Sequence, residues 1–255
     1  MLQIKICLLL ISFTTVAWSQ SGLNANEVSS SAGAKNMNQK MQIEIWSDIV
    51  CPFCYIGKRK FEQALESFPQ RDQVEIVWKS FQLDPDASAT GTDYQKNLSE
   101  RKGWSLEQTR QITQNVTEMA AKVGLQYHFE KAIAANSLDA HRFIHLANKH
   151  GLQDAAEEAL FKAHFTEGKN IADPVLLVQL GTAIGLESTE VTQMLESQAF
   201  AEDVKRDVEE ARQLQVNGVP FFVFDRKYAV SGAQDPSVFL NTLAKALETW
   251  EPSQK

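Results

Sequence analysis

Cysteine is scarce in this sequence: there are three residues, Cys7, Cys51 and Cys54, in a chain of 255. So few cysteines cannot build a disulfide scaffold, and those present are expected to act chemically instead. The sequence also has no block of five like charges, and its 32 acidic against 25 basic residues give a net charge of −7. This balance argues against nucleic acid or an anionic membrane surface as a partner.

The sequence lacks an apolar run long enough to span a membrane. The N-terminal run, residues 6–18, follows a single Lys5 and is shorter than the ~20 residues of a spanning helix. Ala17 and Ser19 place small residues at the two positions that a signal peptidase reads. We therefore predict a signal peptide over residues 1–19 and no membrane span in the mature chain.

Residues 20–40 are rich in Ser, Asn, Gln and Gly and are predicted to form a disordered linker. Cleavage of the signal peptide would remove Cys7 and leave an even pair of cysteines, as suits an oxidising compartment. The protein is therefore predicted to be periplasmic or secreted. If translation starts at Met41 instead, it is cytoplasmic. Residues 251–255 are predicted to be a short tail.

From Met41 onward, strand and helix patterns alternate. Residues 42–47 and 74–81 are β-branched and aromatic runs of strand length, and residues 53–68 between them have a helical apolar face. A helix that connects two strands in this way requires the strands to be parallel neighbours. The sequence therefore predicts a βαβ unit at the start of the folded region.

The rest of the chain is predicted to be helical and to end in a hairpin with a closing helix. Residues 94–214 show helical spacing of apolar positions with capping residues between segments. Residues 219–224 and 228–231 are short strand-like runs separated by a turn, and residues 236–250 have a helical pattern. No internal repeat of fixed period occurs.

The strongest chemical motif is Cys51-Pro52-Phe53-Cys54, which lies between the first strand and its helix. Two cysteines at i and i+3 in a first helical turn have Cα atoms roughly 5–6 Å apart, within disulfide range. The free N–H groups and the positive dipole end of the helix favour a thiolate at Cys51, the predicted nucleophile. Cys54 lies on the apolar helix face and is predicted to be the buried resolving thiol.

Two other uses of these cysteines are alternatives to dithiol chemistry. A purely structural disulfide would close a very small loop and constrain the unfolded chain little. A zinc site could use Cys51 and Cys54 with His141 and His145, which form an H-x3-H pair. The gap between the two pairs is roughly 86 residues, unlike the short spacing of zinc fingers. We therefore predict a dithiol/disulfide redox centre and no metal site.

The sequence resembles the DsbA-type thiol:disulfide oxidoreductases, and among them the FrnE-like subgroup. The resemblance is carried by five segments: residues 45–57, which include the cysteine motif, and residues 140–145, 159–161, 218–223 and 229–234. It implies an α/β fold, specifically a thioredoxin-like fold interrupted by a helical insertion domain. The implied parts are residues 41–85 for the first part of the thioredoxin-like domain, 86–200 for the insertion and 201–250 for the second part.

The resemblance also assigns roles to residues near the cysteines. Pro220 is implied to be a cis-proline beside the cysteine pair, and the backbone of Val219 to pair with an extended substrate segment. Phe53, between the cysteines, is a further candidate for substrate contact. The implied reaction is disulfide exchange with protein thiols through a redox-active Cys51–Cys54 disulfide, without another cofactor. A redox partner must reset the pair, and glutathione is a candidate for it.

Two departures from the family pattern leave the redox direction open. Strongly oxidising members have His where Phe53 stands, and thioredoxin relatives often bury an acid six residues before the nucleophile, where this chain has Ile45. Asp48 and Glu44 are the nearby acids that could relay protons. Both are instead predicted to be turn or rim residues.

The same fold family includes glutathione-dependent isomerases and transferases of the 2-hydroxychromene-2-carboxylate isomerase and kappa classes. Those isomerases usually have Ser at the first cysteine position, so the presence of both cysteines favours dithiol exchange. His141 and Arg142 could contact a glutathione carboxylate, but a solvated helix face is the preferred prediction for them. A non-catalytic, chaperone-like binder that uses the apolar surface around Val219 and Phe221 is the third alternative.

Overall fold

The structure is a computed structural model that describes residues 39–251 of the chain. The predicted signal peptide, residues 1–19, lies outside the described residues, as do most of the predicted linker and of the tail. Within residues 39–251, no helix combines the length and the apolar character needed to cross a membrane.

The described chain begins with a strand, a helix and a strand and ends with a hairpin and a helix, as the sequence pattern predicts. The strands are β1 (Met41–Ser47), β2 (Val74–Ser80), β3 (Thr92–Asp93), β4 (Ile133–Ala134), β5 (Phe221–Phe224) and β6 (Tyr228–Ser231). The helices are α1 (Pro52–Glu66), α2 (Tyr94–Lys102), α3 (Leu106–Ala121), α4 (Leu138–Lys149), α5 (Gln153–Phe161), α6 (Pro174–Ile184), α7 (Ser188–Glu196), α8 (Ala201–Gln213) and α9 (Pro236–Glu248). A short 3-10 turn (Arg71–Gln73) precedes β2, and a π-helical turn (Lys162–Thr166) extends α5.

Four strands form the main sheet in the order β2-β1-β5-β6. β1 and β2 are parallel, with Met41 opposite Val74, and α1 is the crossover between them, as the sequence predicts. β5 runs antiparallel to β1, with Ile45 opposite Phe222, and β6 completes the predicted hairpin. The predicted α/β class, a thioredoxin-like sheet interrupted by helices, is confirmed. The exact boundaries of the insertion, residues 86–200, stay a prediction.

One face of the sheet packs against α1 and α9. Ile43 and Ile45 of β1 are fully buried on this face. The rings of Phe61 and Phe222 have centroids 5.4 Å apart, and those of Phe222 and Phe239 are 4.6 Å apart. Alternate β1 residues point to opposite faces, so this face also receives Ser47, the last residue of β1. Helix α1 therefore packs against a buried apolar face of the sheet.

The other face of the sheet is covered by α8, and Asp207 joins them. The Trp46 Nε1–H donates to the Asp207 carbonyl oxygen at 3.0 Å. The Asp207 carboxylate accepts from Lys79 Nζ at 2.7 Å and from the Ser80 N–H at 3.0 Å, and it lies 3.1 Å from His145 Nε2. Burial acts to raise the pKa of Asp207, but these hydrogen bonds outweigh it and hold the pKa below its ordinary value.

The segment between β2 and β5 is mainly helical, as predicted, but it also contains a small ribbon. Thr92 pairs with Ala134 and Asp93 with Ile133 in β3 and β4. Two-residue strands carry no detectable periodicity, so the sequence pattern missed them. The ribbon brings the start of α2 next to the segment that leads into α4.

Arg142 of α4 is buried, so the solvated helix face that we predicted for it is wrong. Its guanidinium donates to the carbonyl oxygens of Met194, of Ser197 at 2.7 Å and of Ala199 at 2.8 Å. These carbonyls lie at and just beyond the end of α7, where helices leave acceptors unpaired. Arg142 thereby joins α4 to the end of α7, a long-range contact that the local sequence does not reveal.

Candidate active site

Cys51 stands at the junction of β1 and α1. Its N–H donates to the Asp48 carbonyl oxygen at 3.0 Å, which closes the turn after β1. Its own carbonyl oxygen accepts from the Cys54 N–H at 3.0 Å, which begins the helix. Cys51 is the N-cap residue and Pro52 is the first helical residue, where its missing N–H costs nothing. The Cys51 sulfur therefore lies at the positive end of α1.

Both cysteines are buried, and within residues 39–251 they are unpaired thiols. The Cys51 side chain is 5% exposed and its Sγ lies 3.5 Å from the Val219 carbonyl oxygen, as a donor to it. The peptide bond between Val219 and Pro220 is cis, as the family resemblance implies. The structure thus brings Cys51, Val219 and Pro220 together, although they are far apart in the sequence.

Gly57 allows the Pro220 loop to approach α1. A Cβ atom built on Gly57 would lie 2.9 Å from Pro220 Cγ, closer than such atoms pack. Sequence reasoning did not single out Gly57 as a site residue. The sequence did contain a signal for Gly57: a glycine in the first turns of an amphipathic helix lowers the stability of the helix, and its presence there indicates that another part of the chain approaches closely.

Cys54 is 1% exposed and lies deeper than Cys51. Burial is the main cause that raises the pKa of the Cys54 thiol well above its ordinary value, and the neighbouring Cys51 raises it further. The backbone of Asp48 and the hydroxyl of Ser47 act in the opposite direction. Cys54 is therefore held as a neutral thiol when the pair is reduced.

Asp48 is fully buried, so our prediction of a turn or rim position is wrong as to exposure. It does lie in the turn after β1, but its carboxylate accepts from the Leu83 N–H at 2.7 Å and faces His141 Nε2 at 3.4 Å. His141 is also buried, contrary to the predicted solvated face, and its Nε2 lies 3.0 Å from the Phe81 carbonyl oxygen. Asp48 and His141 together fix the chain that follows β2.

Glu44 does not reach the cysteines. It is a buried β1 residue on the face that α8 covers, and it forms an ion pair with Arg226. Burial is the largest cause that raises the pKa of Glu44 above its ordinary value, and Arg226 acts against it. Because residue 44 and the α1-facing residues of β1 point to opposite faces of the sheet, Glu44 is a poor candidate for a proton relay.

The histidines of the zinc alternative have partners other than the cysteines. His141 faces Asp48, and His145 Nε2 lies 3.1 Å from both the Asp207 carboxylate and the Ser80 hydroxyl. In the described part of the chain, no three His, Cys, Asp or Glu side chains are grouped as metal ligands. The Cys-His arrangement that zinc would require is therefore not formed by these residues.

Helix α5 is joined to α1 by ion pairs and by an aromatic contact. The buried Lys58 Nζ lies 3.2 Å from carboxylate oxygens of both Asp154 and Glu158. The Tyr55 hydroxyl donates to Glu158 at 2.6 Å, and its ring stacks on Phe161 with a 4.8 Å centroid separation. Sequence reasoning missed this network, since nothing local pairs residues about 100 positions apart. It fixes the helix that carries both cysteines.

A cavity of about 300 Å³ opens beside Cys51. Phe53, at its edge, is 41% exposed, which is consistent with its predicted availability to a substrate. The opposite wall comes from the helical segment and includes Tyr94 and Trp104. Neither residue was predicted to lie at the site, and the sequence offered no signal for either, because this meeting depends on how α2 and α3 fold back over α1.

The fold and site together define a thioredoxin-like protein with paired thiols at a helix N-terminus. The model of the DSBA-like thioredoxin domain family matches residues 42–244. The chain therefore belongs to the DSBA-like thioredoxin domain family, as the sequence resemblance indicates.

Three known proteins are similar to this chain. A "probable DsbA oxidoreductase", SCO1869 from Streptomyces coelicolor, is 39% identical with a TM-score of 0.80, over 84% of this chain and 93% of that one. The "uncharacterized protein YwbO" of Bacillus subtilis (strain 168) is 27% identical, over 78% of this chain and 94% of YwbO. The "cytosolic disulfide reductase DsbM" of Pseudomonas aeruginosa, solved with GSH, has a TM-score of 0.60 over 81% of this chain and 99% of its own. At 16% identity, that last likeness shows the fold alone.

Proposed function

We propose that this protein is a thiol:disulfide oxidoreductase that exchanges disulfides with protein thiols through Cys51 and Cys54. The observation that carries the proposal is the position of the Cys51 sulfur, at the N-terminus of α1 and 3.5 Å from the Val219 carbonyl oxygen. A helix N-terminus stabilises a thiolate there, and a backbone edge beside the sulfur can pair with an extended substrate. Cys51 is the proposed nucleophile, and Val219 and Pro220 form the proposed substrate edge.

In the oxidising direction, the enzyme disulfide takes two electrons from two substrate thiols. A substrate thiolate attacks Cys51 Sγ, the Cys51–Cys54 bond breaks, and Cys54 leaves as a thiolate that takes up a proton. A second substrate thiolate then attacks the substrate sulfur of the mixed disulfide, and Cys51 leaves as a thiolate. The raised pKa of Cys54 supports the proton uptake. Each step exchanges one S–S bond for another, and the proposal assigns no metal or other cofactor.

After the enzyme has oxidised a substrate, a partner with a disulfide must reoxidise the Cys51–Cys54 dithiol. If the enzyme works as a reductase, a thiol partner must instead reduce the Cys51–Cys54 disulfide. Glutathione is the partner we propose to test first, because the Pseudomonas aeruginosa relative of similar fold was solved with GSH. Phe53 replaces the histidine of strongly oxidising members and supplies no charge between the cysteines. A midpoint potential below that of DsbA is therefore the expected consequence.

The first test is the redox equilibrium of the cysteine pair in graded glutathione buffers, measured by thiol alkylation and mass. A midpoint between −120 and −200 mV, the range of DsbA and protein disulfide isomerase, identifies a disulfide donor, and one near −270 mV, as in thioredoxin, identifies a reductase. If no intramolecular disulfide forms at any ratio, the proposal is wrong. Saturable glutathione binding with turnover of an aromatic small molecule would then favour the isomerase or transferase alternative.

Three single substitutions assign the roles of the cysteines. Cys51→Ser should lose exchange entirely. Cys54→Ser, given a substrate that contains a disulfide, should accumulate a mixed disulfide: the Cys51 thiolate attacks the substrate disulfide and releases one substrate thiolate, and the resolving thiol is missing. Cys7→Ser in the uncleaved chain is the matched control and should exchange like the unsubstituted uncleaved chain. Retained exchange in Cys51→Ser would contradict the proposed nucleophile. Suppression of aggregation that survives the loss of both Cys51 and Cys54 would instead favour the chaperone-like alternative.

We propose that the protein is exported, to the periplasm or the medium, after cleavage of the predicted signal peptide over residues 1–19. The N-terminal mass of the cellular product, together with cell fractionation, tests this. A product that lacks residues 1–19 in the periplasmic fraction or the medium supports export. Full-length protein in the cytosol, or a product that begins at Met41, would contradict it.

A further inference from the structure

Tyr127 lies in the helical segment, yet its side chain reaches the cysteine motif. The Tyr127 hydroxyl donates to the Pro52 carbonyl oxygen at 2.7 Å, although the two residues are 75 positions apart. The Tyr127 side chain is only 4% exposed. No local sequence pattern pairs these residues, so this contact with the backbone between the two cysteines is a property of the fold.

The Tyr127 ring is fixed by other aromatic rings. It stacks on Phe165 with ring centroids 4.7 Å apart and on Tyr55 at 6.2 Å, and it meets Phe129 edge to face at 5.5 Å. Contacts of this kind hold a buried ring in one orientation. The hydroxyl is therefore placed at the Pro52 carbonyl by a packed cluster and does not depend on its hydrogen bond alone.

Tyr127 keeps its proton wherever thiols react. Burial is the main cause that raises the pKa of Tyr127 well above its ordinary value, and the negative charge of a Cys51 thiolate raises it further. The hydroxyl therefore remains a hydrogen-bond donor when Cys51 ionises. The effect of Cys51 also means that the hydroxyl and the sulfur are close enough to interact electrostatically.

The Pro52 carbonyl belongs to the same peptide group as the Phe53 N–H. The N–H of the second helical residue has no partner within a helix and is a donor to the N-cap side chain. Cys51 is the N-cap residue of α1, and within the described chain its thiol makes no such bond but donates to the Val219 carbonyl oxygen. The Cys54 N–H is already bonded to the Cys51 carbonyl oxygen. A Cys51 thiolate, which can only accept, therefore depends on the Phe53 N–H.

A peptide carbonyl that accepts a hydrogen bond makes the N–H of its own peptide group a stronger donor, because linked hydrogen bonds polarise one another. The Pro52 carbonyl has two lone pairs, so it can accept from Tyr127 and also from the helix N–H four residues on. We propose that Tyr127 is a positioning residue for disulfide exchange, whose hydroxyl polarises the Pro52–Phe53 peptide group so that its N–H stabilises the Cys51 thiolate.

This inference rests on the proposed function, because it takes Cys51 as the nucleophile. The Tyr127 hydroxyl keeps its proton throughout, and the bonds that form and break are those of the exchange itself. Phe53 supplies no polar side-chain group between the cysteines, so stabilisation of the thiolate there comes from the backbone. Stabilisation of the thiolate favours the reduced pair and thus makes the Cys51–Cys54 disulfide a better oxidant.

Other titratable groups surround Cys51 and are unchanged when only the Tyr127 hydroxyl is removed. Cys54 is its neighbour on α1, Tyr94 approaches from α2, and Asp48 lies in the turn that precedes it. The charged side chains in the lining of the cavity that Cys51 shares are Asp84, Arg101 and Lys102. A change in the titration of Cys51 after removal of the hydroxyl therefore reports the hydroxyl itself.

The test uses the full-length reduced protein and its Tyr127→Phe variant, which keeps the ring. The rate of Cys51 alkylation by iodoacetamide is measured by peptide mass over about pH 3–9. The pH of half-maximal rate should rise by about 0.5 in the variant, a threefold weakening of thiol ionisation. In glutathione buffers, the equilibrium constant for reduction of the disulfide should fall by about threefold, which makes the midpoint potential about 14 mV more negative.

Tyr55→Phe is the matched control. Tyr55 is a buried tyrosine of the same aromatic cluster, but its hydroxyl donates to Glu158 at 2.6 Å and not to the cysteine motif. This variant should lose stability to urea as Tyr127→Phe does, yet keep the wild-type pH of half-maximal alkylation and the wild-type potential. An equal shift in both variants would overturn the inference, because looser packing around α1 would then account for it.

A second substitution covers the case in which Tyr127→Phe fails to fold by circular dichroism. 3-Fluorotyrosine at position 127 keeps the ring and has a more acidic hydroxyl, which is a stronger donor. It should lower the pH of half-maximal Cys51 alkylation, and an unchanged or raised value would contradict the proposed role.

The glutathione equilibrium separates failure of this inference from failure of the proposed function. If the wild-type protein forms the Cys51–Cys54 disulfide but Tyr127→Phe has the same pH profile and potential, only the role of Tyr127 is wrong. If neither protein forms the disulfide at any ratio of glutathione to its disulfide, the proposed function itself is wrong.

Discussion

Gly57 and Pro220 are in such close contact that a single added methyl group would not fit between them: a Cβ on Gly57 would lie 2.9 Å from Pro220 Cγ. Further atoms of Phe222 and Ala233 lie 3.5 Å from the same point. The Pro220 loop also carries the Val219 carbonyl oxygen that the Cys51 thiol contacts. A glycine on α1 therefore sets how closely that loop approaches the reactive sulfur.

Gly57→Ala should destabilise the protein and slow disulfide exchange. In an ordinary helix, this substitution stabilises by about 0.5–1 kcal/mol. Here the methyl group meets the rigid Pro220 ring, and relief of overpacking costs about 1–3 kcal/mol. Movement of the loop away from Cys51 should also lower the exchange rate severalfold. Urea unfolding and the rate of reaction with dithiothreitol measure the two effects.

Gly181→Ala is the control for Gly57→Ala. A Cβ on Gly181 of α6 would lie 2.7 Å from Val191, far along the chain from the cysteine motif. This variant should lose stability in the same way but keep the exchange rate of its folded fraction. If both variants slow exchange equally, the contact between Gly57 and Pro220 has no specific link to the site.

Arg142→Lys should cost about 2–3 kcal/mol of unfolding free energy despite the conserved charge. The Arg142 guanidinium reaches three carbonyl oxygens at once, those of Met194, Ser197 and Ala199. A lysine ammonium is a compact donor that cannot reproduce this planar arrangement, so acceptors at the end of α7 would stay buried without partners. Chemical denaturation gives the free energy.

Arg206→Lys provides the comparison for Arg142→Lys. Arg206 is exposed on α8 and pairs there with Asp203, so the same change should alter stability by less than about 0.5 kcal/mol. A similar small effect at Arg142 would show that its buried hydrogen bonds contribute little to the fold.

The local features of the site could be predicted from the sequence. The position of Cys51 and Cys54 follows from a strand pattern that meets a helix pattern, and a spacing of three residues in a helix fixes their separation. The parallel pairing of β1 and β2 follows from the helix between them. These predictions rest on short stretches of chain whose geometry hardly depends on the remainder.

The residues that the sequence did not reveal depend on contacts between distant segments. Charged and polar residues on helices are usually solvated, so the sequence pattern predicts that Arg142 and His141 lie at the surface. Their burial becomes intelligible only with the carbonyl acceptors that α7 and the end of β2 supply. Tyr94 and Trp104 reach the cavity in the same way, since α2 and α3 fold back over the start of α1.

Glu157→Gln should stabilise the protein more at pH 8 than at pH 5. Glu157 is fully buried, and its Oε2 makes no hydrogen bond within residues 39–251. Burial is the main cause that raises the pKa of Glu157 well above its ordinary value. As pH rises above the unfolded-state pKa of about 4.5, the unfolded chain releases a proton that the folded chain retains. Stability therefore falls with rising pH, and a glutamine removes that loss.

Urea unfolding at pH 5 and pH 8 tests this difference for Glu157→Gln, with Glu107→Gln as the comparison. Glu107 is exposed in the first turn of α3, so its replacement should change stability by a similar small amount at both pH values. If Glu157→Gln shows no pH-dependent gain relative to the wild-type protein, Glu157 is ionised in the folded state.

His164 makes the opposite contribution to the pH dependence. It is fully buried, both ring nitrogens lack hydrogen-bond partners within residues 39–251, and the Phe165 and Tyr94 rings lie 4.4 and 6.0 Å away by centroid. Burial lowers the pKa of His164 to about 4. Between pH 6.5 and 4, His164 is therefore protonated in the unfolded chain but stays neutral in the folded chain, and stability falls as pH falls.

His164→Phe should remove this sensitivity, because a phenyl ring suits the aromatic surroundings and does not titrate. Between pH 8 and pH 5, the unfolding free energy of the wild-type protein should fall by about 2 kcal/mol more than that of the variant. This difference follows from the pKa of 6.5 in the unfolded chain and of about 4 in the folded chain. His128→Phe, at a half-exposed position beside Glu130, is the matched loss of a histidine and should keep the wild-type slope. If unfolding free energy varies with pH equally in the wild-type protein and in His164→Phe, His164 is protonated inside the fold. Each of its two ring N–H groups would then require a hydrogen-bond acceptor.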